Sequence, residues 1–223
     1  MNRILLESPL FAGIPEEELA TLLQCLGAVE KHFDKGCTIF REGTVLQQLG
    51  VVLAGRVLIQ CCDAWGTSSV LGSAVPGETF GEAYACCPGE PLQISVQAAE
   101  DTTVLLLNAG RVLTVCPSSC PFHSRLVRNL LGVCARKNLK LSRRMLHTTP
   151  KTIRGRLLSY FSECAKVAQG PVFTLEYNRQ QLADHLGVDR SAMCSELSKM
   201  QADGLVRCSR RQVEILHGTE SLL

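Results

Sequence analysis

A chain of 223 residues is long enough for one large or two modest domains, but its apolar runs are too short to span a membrane and its start, MNRILLESPLF, is no secretory signal. Twelve cysteines in such an unexported chain belong to a reducing compartment, which predicts free thiols in a cytoplasmic protein and excludes a disulfide scaffold. The net charge of +2 conceals an asymmetry, because residues 1–101 hold 5 basic and 13 acidic side chains whereas residues 102–223 hold 18 and 8.

The first predicted element is a helix before residue 28. Pro15 stands in its first turn, Glu16, Glu17 and Glu18 favour the positive end of its dipole, and Leu19, Leu22, Leu23 and Leu26 form its apolar face. From 29 to 107 the pattern changes to short β-rich runs at 38–40, 49–53, 57–60, 69–75 and 103–107. Gly36, Gly43, Gly55, Gly66, Gly72, Gly77 and Gly81 punctuate them, as in an antiparallel sandwich or roll. Within this region PGETFGE, residues 76–82, ends a strand with Gly81 and Glu82. Such a pair can offer backbone amides and one acceptor to a small ligand, or be a turn with a solvated carboxylate.

A long helix follows at 122–146, with Leu126, Leu130, Val133, Lys137 and Leu141 stepping by three or four. The narrow stripe fits a coiled-coil seam with a second copy, and packing on the chain's own sandwich is the alternative. Residues 102–162 carry 11 Lys or Arg and no Asp or Glu, which makes either a solvated helix face or a field that attracts a polyanion. Thr149 and Pro150 read as cap and first residue of the next helix. Ile153, Leu157, Leu158, Phe161, Ala165 and Ala168 continue it to Gly170, and a short strand at 172–175 comes next.

The stretch 178–206, NRQQLADHLGVDRSAMCSELSKMQADGLV, then reads as two helices joined by a turn. Asn178 caps the first, Leu182, Ala183 and Leu186 give its buried face, Gly187 supplies the turn, and Asp189 restarts the helix. Met193, Leu197 and Met200 point inward on the second helix, leaving Arg190, Ser191, Ser195 and Lys199 outward. A hairpin at 206–208 and 212–216 ends in a basic tip of Ser209, Arg210 and Arg211. Paired amphipathic helices with a glycine turn also occur in proteins that bind no nucleic acid, but in a helix-turn-helix the second helix enters the major groove.

With those residues in view, nearly the whole chain resembles the Crp/Fnr family of bacterial transcription regulators. The motifs that carry the resemblance are SPLFAGIPEEEL, VLAGRV and PGETFGE in the first half, and NRQQLADHLGVDRSAM with ELSKMQADGLV in the second. The resemblance implies an α+β protein in three parts. Residues 1–115 would be a cyclic-nucleotide-binding-type antiparallel β-roll, or jelly roll, that senses an effector. Residues 116–147 would be a dimerisation helix, and residues 148–223 a winged helix-turn-helix. It implies a homodimer on pseudo-palindromic double-stranded DNA, with RNA polymerase as a further partner and no membrane role.

By the same resemblance Arg179 and Gln180 contact the DNA backbone and Arg190, Ser191 and Ser195 read bases, beside Lys199, Arg210 and Arg211. Many relatives have Arg where this chain has Ser195, which removes a bidentate guanine contact from the family's usual half-site. The effector-facing positions are Gly81, Glu82, Leu92 and Gln93. Relatives that bind cyclic AMP place an Arg-Ser pair at the last two, and without that cation the buried phosphate has little compensation, so tight cyclic AMP binding is not expected.

No motif specifies a cofactor. Relatives with an iron-sulfur cluster have closely spaced cysteines near the N-terminus, whereas here the first is Cys25 and no cluster spacing follows. Cys61 and Cys62, Cys86 and Cys87, and Cys116 and Cys120 remain; Cys86 and Cys87, directly after the ligand motif, are the candidates for a thiol, redox or metal response. A cupin-like metalloenzyme would need several histidines in the roll, but of His32, His123, His147, His185 and His217 only His32 falls there, and no catalytic constellation stands out. A winged helix docking on another protein is a third reading, disfavoured by the basic stretch.

Overall fold

The fold follows from where the chain places consecutive apolar residues. In the computed structural model, which describes residues 3–62, 65, 68–114 and 121–216, α1 (Arg3–Glu7) and α2 (Glu16–Cys25) lead into β1 (Val29–Phe33), β2 (Thr38–Phe40), β3 (Gln48–Ala54), β4 (Val57–Cys62), β5 (Ser68–Ala74) and β6 (Thr79–Phe80). A short helix α3 (Glu82–Ala85), strands β7 (Ser95–Ala98) and β8 (Thr102–Asn108), and α4 (Ala109–Leu113) complete this part. The strands form two four-stranded antiparallel sheets in the orders β1-β8-β3-β6 and β2-β7-β4-β5. β3 and β8 are the unbroken apolar runs. Both are buried over most of their length, and one core joins their side chains to Leu19, Leu22 and Leu26 of the α2 region.

The observed boundaries refine the sequence reading. Pro15 is the N-cap of α2, one position before the helix rather than inside its first turn. Gly72 lies inside β5, where the pairing with β4 skips a residue between Ile59 and Gln60, so this glycine marks a bulge rather than a turn. Gly66 falls outside the described residues.

The helix α5 (Pro121–Thr148) is 28 residues long and carries Arg125, Arg128, Arg136, Lys137, Lys140, Arg143 and Arg144 without an acid. Leu126 and Leu130 belong to the core of the roll and Val133 is buried too, so the first half of the expected seam packs on its own unit. A neighbouring stripe on the same helix stays open, with Leu131, Leu141 and Met145 all more than half exposed. The chain divides into two compact units, Met1–Arg136 and Lys137–Leu223.

In the second unit come α6 (Ile153–Ala168), β9 (Val172–Thr174), α7 (Arg179–Leu186), α8 (Arg190–Ala202), β10 (Val206–Ser209) and β11 (Gln212–Ile215). α6 begins at the cap Thr152, whose hydroxyl accepts from the Gly155 amide. Thr149 is not the cap, because its hydroxyl donates back to the Met145 carbonyl at 2.7 Å and so belongs to the end of α5. Leu157, Phe161, Phe173, Leu182, Met193, Met200 and Val213 form a separate core, and the three strands pair antiparallel in the order β10-β11-β9.

Candidate nucleic-acid interface and effector region

Local chemistry fixes the two-helix motif. Asn178 Oδ1 accepts from the Gln181 amide and Gln181 Oε1 accepts from the Asn178 amide, both at 2.9 Å, which is a reciprocal capping box. α7 ends at Gly187 with φ +62°, a conformation glycine adopts without strain. Two residues later Asp189 Oδ1 accepts from the Ala192 amide at 2.8 Å and opens α8. Leu182, Ala183, Leu186, Met193, Leu197 and Met200 are all buried, as the helical spacing predicts.

Arginines distant in sequence hold this motif. Arg156 Nη1 donates to the carbonyls of Leu186 and Gly187 at 2.9 and 3.1 Å, and Arg144 donates to those of His185 and Asp184 at 3.2 and 2.9 Å. Both place positive charge on the unsatisfied carbonyls at the negative end of α7. Arg154 ties α6 to α8 through Glu196 at 2.6 Å and Asp203 at 2.8 Å, and these two partners hold its guanidinium above the usual range. None of these three was identifiable from sequence as more than part of a basic run. The acceptors through which they hold the motif are backbone groups or acids 30 to 49 positions away, and no spacing rule reports that.

The exposed face of α8 carries Arg190, Ser191, Ser195 and Lys199, with Lys199 Nζ 4.0 Å from Glu196. Gln180 is exposed and donates to Asp184 Oδ1 at 2.9 Å. Arg210 stands at the hairpin tip with φ +52°. The guanidinium groups of the other two candidates are committed to backbone carbonyls. Arg179 is half-buried, reaches the Arg210 carbonyl at 3.5 Å and hydrogen-bonds the Cys208 thiol. Arg211 spends its guanidinium on the carbonyls of Leu175, at 3.0 Å, and Glu176, while its own carbonyl accepts from the Leu175 amide at 2.7 Å. Arg211 therefore pins the loop before α7 to the hairpin instead of standing free at its tip.

In the roll, Gly81 has φ +74° and caps α3, and a Cβ there would lie 2.9 Å from the Phe40 ring. Glu82 is buried beside it. Leu92 is 2% exposed, shares the core with Phe40, Leu46 and Phe80, and exchanges backbone hydrogen bonds with Gly43 and Thr44. Gln93 is exposed. Burial pushes the Cys86 thiol up to about 11, helped by Cys134, Glu82 and Cys87, so at neutral pH it stays a thiol and a poor nucleophile. Cys87 is exposed. Cys116, Cys120 and His217 lie outside the described residues.

Two domain families fall on the chain in the order the fold requires. Residues 30–119 match the cyclic nucleotide-binding domain and residues 155–219 match the Crp-like helix-turn-helix domain. The chain belongs to the Crp/Fnr family. It is 26% identical over 208 residues to the cyclic AMP receptor protein of Thermus thermophilus, covering 93% of this chain and 92% of that one. It is 22% identical over 216 residues to a CRP-like cAMP-activated global transcriptional regulator of Mycobacterium tuberculosis, covering 96% and 95%.

Among solved structures, CprK in complex with OCPA matches with a TM-score of 0.64 at 15% identity over 91% of this chain and 92% of that one. The Thermus thermophilus catabolite activator protein matches with a TM-score of 0.51 at 24% identity over 93% of each. Both share the fold. As a Crp/Fnr member the chain is a non-enzymatic DNA-binding transcription regulator with an effector-binding domain, in a family whose proteins are dimers. Among the described residues no helix is long and apolar enough to cross a membrane.

Proposed function

We propose that this regulator acts in the cytoplasm as a homodimer that reads a pseudo-palindromic site in double-stranded DNA and presents it to RNA polymerase. Residues 1–115 sense the effector, 116–147 dimerise and 148–223 bind DNA. The observation that carries the reading is the division of α8, with Met193, Leu197 and Met200 buried and Arg190, Ser191, Ser195 and Lys199 exposed. Arg190, Ser191 and Ser195 read base edges, and Gln180, Lys199 and Arg210 touch phosphates. Arg179 and Arg211 support them by holding the hairpin against the start of α7.

For the dimer, α5 offers Val127, Leu131, Cys134, Asn138, Leu141 and Met145 at alternating steps of four and three. That is the repeat of a two-stranded seam, with Asn138 able to fix its register. Effector binding shifts the population between two arrangements of the paired helices and thereby the spacing of the two copies of α8.

The two relatives named above are described by cyclic AMP. Here Leu92 is core and Gln93 is neutral, so neither supplies the cation a cyclic phosphate needs when it leaves water. Titration calorimetry with cyclic AMP is expected to show no binding at micromolar concentrations. A micromolar or tighter affinity would overturn this reading of the roll.

The experiment that tests the whole proposal is selection of duplexes from a random pool by the purified chain. Enrichment of a two-fold symmetric motif is expected, and enrichment of none, with or without cell extract, sinks the proposal. Replacing Arg190 with alanine is expected to weaken binding to the selected duplex by about 1–3 kcal/mol and to relax one base position per half-site. An unchanged selected motif would remove Arg190 from the base-reading set.

A further inference from the structure

Behind the guanidinium clamp at the end of α7 lies a group of rings that DNA reading does not use. His147, in the last turn of α5, is buried with Nε2 at 2.6 Å from Glu163 Oε2 of α6. Its ring meets Tyr160 edge-on, with centroids 5.4 Å apart, and lies 5.5 Å from the ring of His185 on α7. His185 is enclosed further by Tyr177 at 5.0 Å and Tyr160 at 5.5 Å. His147 Nδ1 and His185 Nε2 are both buried without a hydrogen-bond partner among the described residues. A neutral imidazole tolerates this, because one bare nitrogen loses only an acceptor contact. An imidazolium does not, because both nitrogens then carry a donor that must be satisfied.

The charges around the two rings come from every element packed on them. α5 contributes Lys140, Arg143 and Arg144; α6 contributes Tyr160, Glu163 and Cys164; the loop before α7 contributes Glu176 and Tyr177; and α7 contributes Asp184. Glu163 favours a proton on His147, but burial outweighs it and lowers that group. On the His185 side the neighbours are cations. Burial, His147, Arg144 and Lys140 together hold it down to about 4. Arg144, whose guanidinium grips the His185 carbonyl, is thus also the charge that a protonated His185 would repel.

We infer that His147 and His185 form an acid-sensitive latch whose protonation frees α7 from the last turn of α5 and from α6, unseating the helix-turn-helix. The effect on DNA rests on the DNA-reading function proposed above. Both rings are held neutral when packed and titrate near 6.5 once released, so the packed form binds fewer protons. Its stability is complete above pH 6.5 and is lost as the pH falls toward 4. At pH 5 the His185 shift alone favours the open form by about 20-fold over neutral pH.

The test measures affinity of the full chain for its selected duplex at about pH 7.5 and about pH 5, at constant ionic strength. The native chain is expected to lose affinity at the lower pH, and His185→Gln, which cannot take the proton, to lose clearly less. A native chain with no loss, or an equal loss in both, overturns the latch. A second arm needs neither DNA nor a variant. Proton NMR of the imidazole resonances is expected to show His185 titrating below pH 5, while the α7 amides lose protection from exchange as the pH falls from 6.5 toward 4. Titration of His185 near 6.5, or α7 protection unchanged by acid, overturns the latch whatever the DNA assay gives. Absence of any selected duplex together with a positive NMR result would instead sink the DNA-reading function and leave the latch standing.

Discussion

Replacing Gly50 with alanine is expected to destabilise the β-roll by about 3 kcal/mol, at the upper end of what overpacking a core costs. Gly50 of β3 pairs directly with Phe80 of β6, and the Phe80 ring lies across the position a side chain would take. A Cβ built there meets three ring atoms at 2.1, 2.4 and 2.6 Å, well inside van der Waals contact. The ring has little room to retreat, since it is fully buried and packed on Phe40 at 5.4 Å between centroids. The measurement is urea unfolding followed by circular dichroism. Gly72→Ala is the control, because a Cβ there meets nothing within 4 Å and the backbone is not left-handed. Adding Phe80→Leu to the Gly50→Ala chain should recover part of the loss, as expected of two residues in contact. If Gly50→Ala unfolds no earlier than Gly72→Ala, the close packing of that ring on the β3 backbone is wrong.

The second large effect is expected at Phe161→Ala, which should cost about 3–5 kcal/mol in the C-terminal unit alone. Phe161 is fully buried, with Tyr160 and Phe173 rings at 6.1 and 5.9 Å, in the core that also contains Leu182, Met193 and Met200. Those three side chains seat α7 and α8, so an emptied Phe161 site removes the support of the helix-turn-helix. The roll has its own core and should keep its unfolding transition. The expected record is an early loss of DNA binding and of one transition, with the other in place. A single transition shifted as a whole would mean that the two cores melt as one.

The motif 178–206 was legible because its determinants are local: a cap at Asn178, a turn at Gly187, a second cap at Asp189 and apolar residues at helical spacing. β3 and β8 were legible because strands buried on both faces read as unbroken apolar runs. β1 was not, since VEKHF is exposed along four of its five residues and carries no alternation. β6 is two residues long, below what any period can reveal. The start of α6 was misplaced by three because Thr149 and Thr152 are equally good caps in sequence, and only the direction of each hydroxyl separates them. The first half of the stripe on α5, Leu126, Leu130 and Val133, is buried within the chain, because leucines line two adjacent faces of that helix and the sequence does not record which one the roll covers. Among the site residues, exposure of Arg190 and Ser191 followed from the buried stripe opposite, whereas the commitment of Arg179 and Arg211 to backbone carbonyls depends on groups that lie 31 and 36 positions away.

The helix α5 carries seven cations and no acid, so its own polar face works against it. Arg136 with Lys140 and Lys140 with Arg144 are like charges one turn apart, each pair costing roughly 0.2–0.5 kcal/mol. Dissolved ions relieve that repulsion, because at 0.1 M the Debye length is about 10 Å and each charge is partly hidden from the next but one. The same ions compete for DNA phosphates and weaken the complex. Ionic strength therefore pulls this molecule in opposite directions: concentrated salt firms α5 in the free protein, and dilute salt favours the DNA-bound state at the expense of that helix.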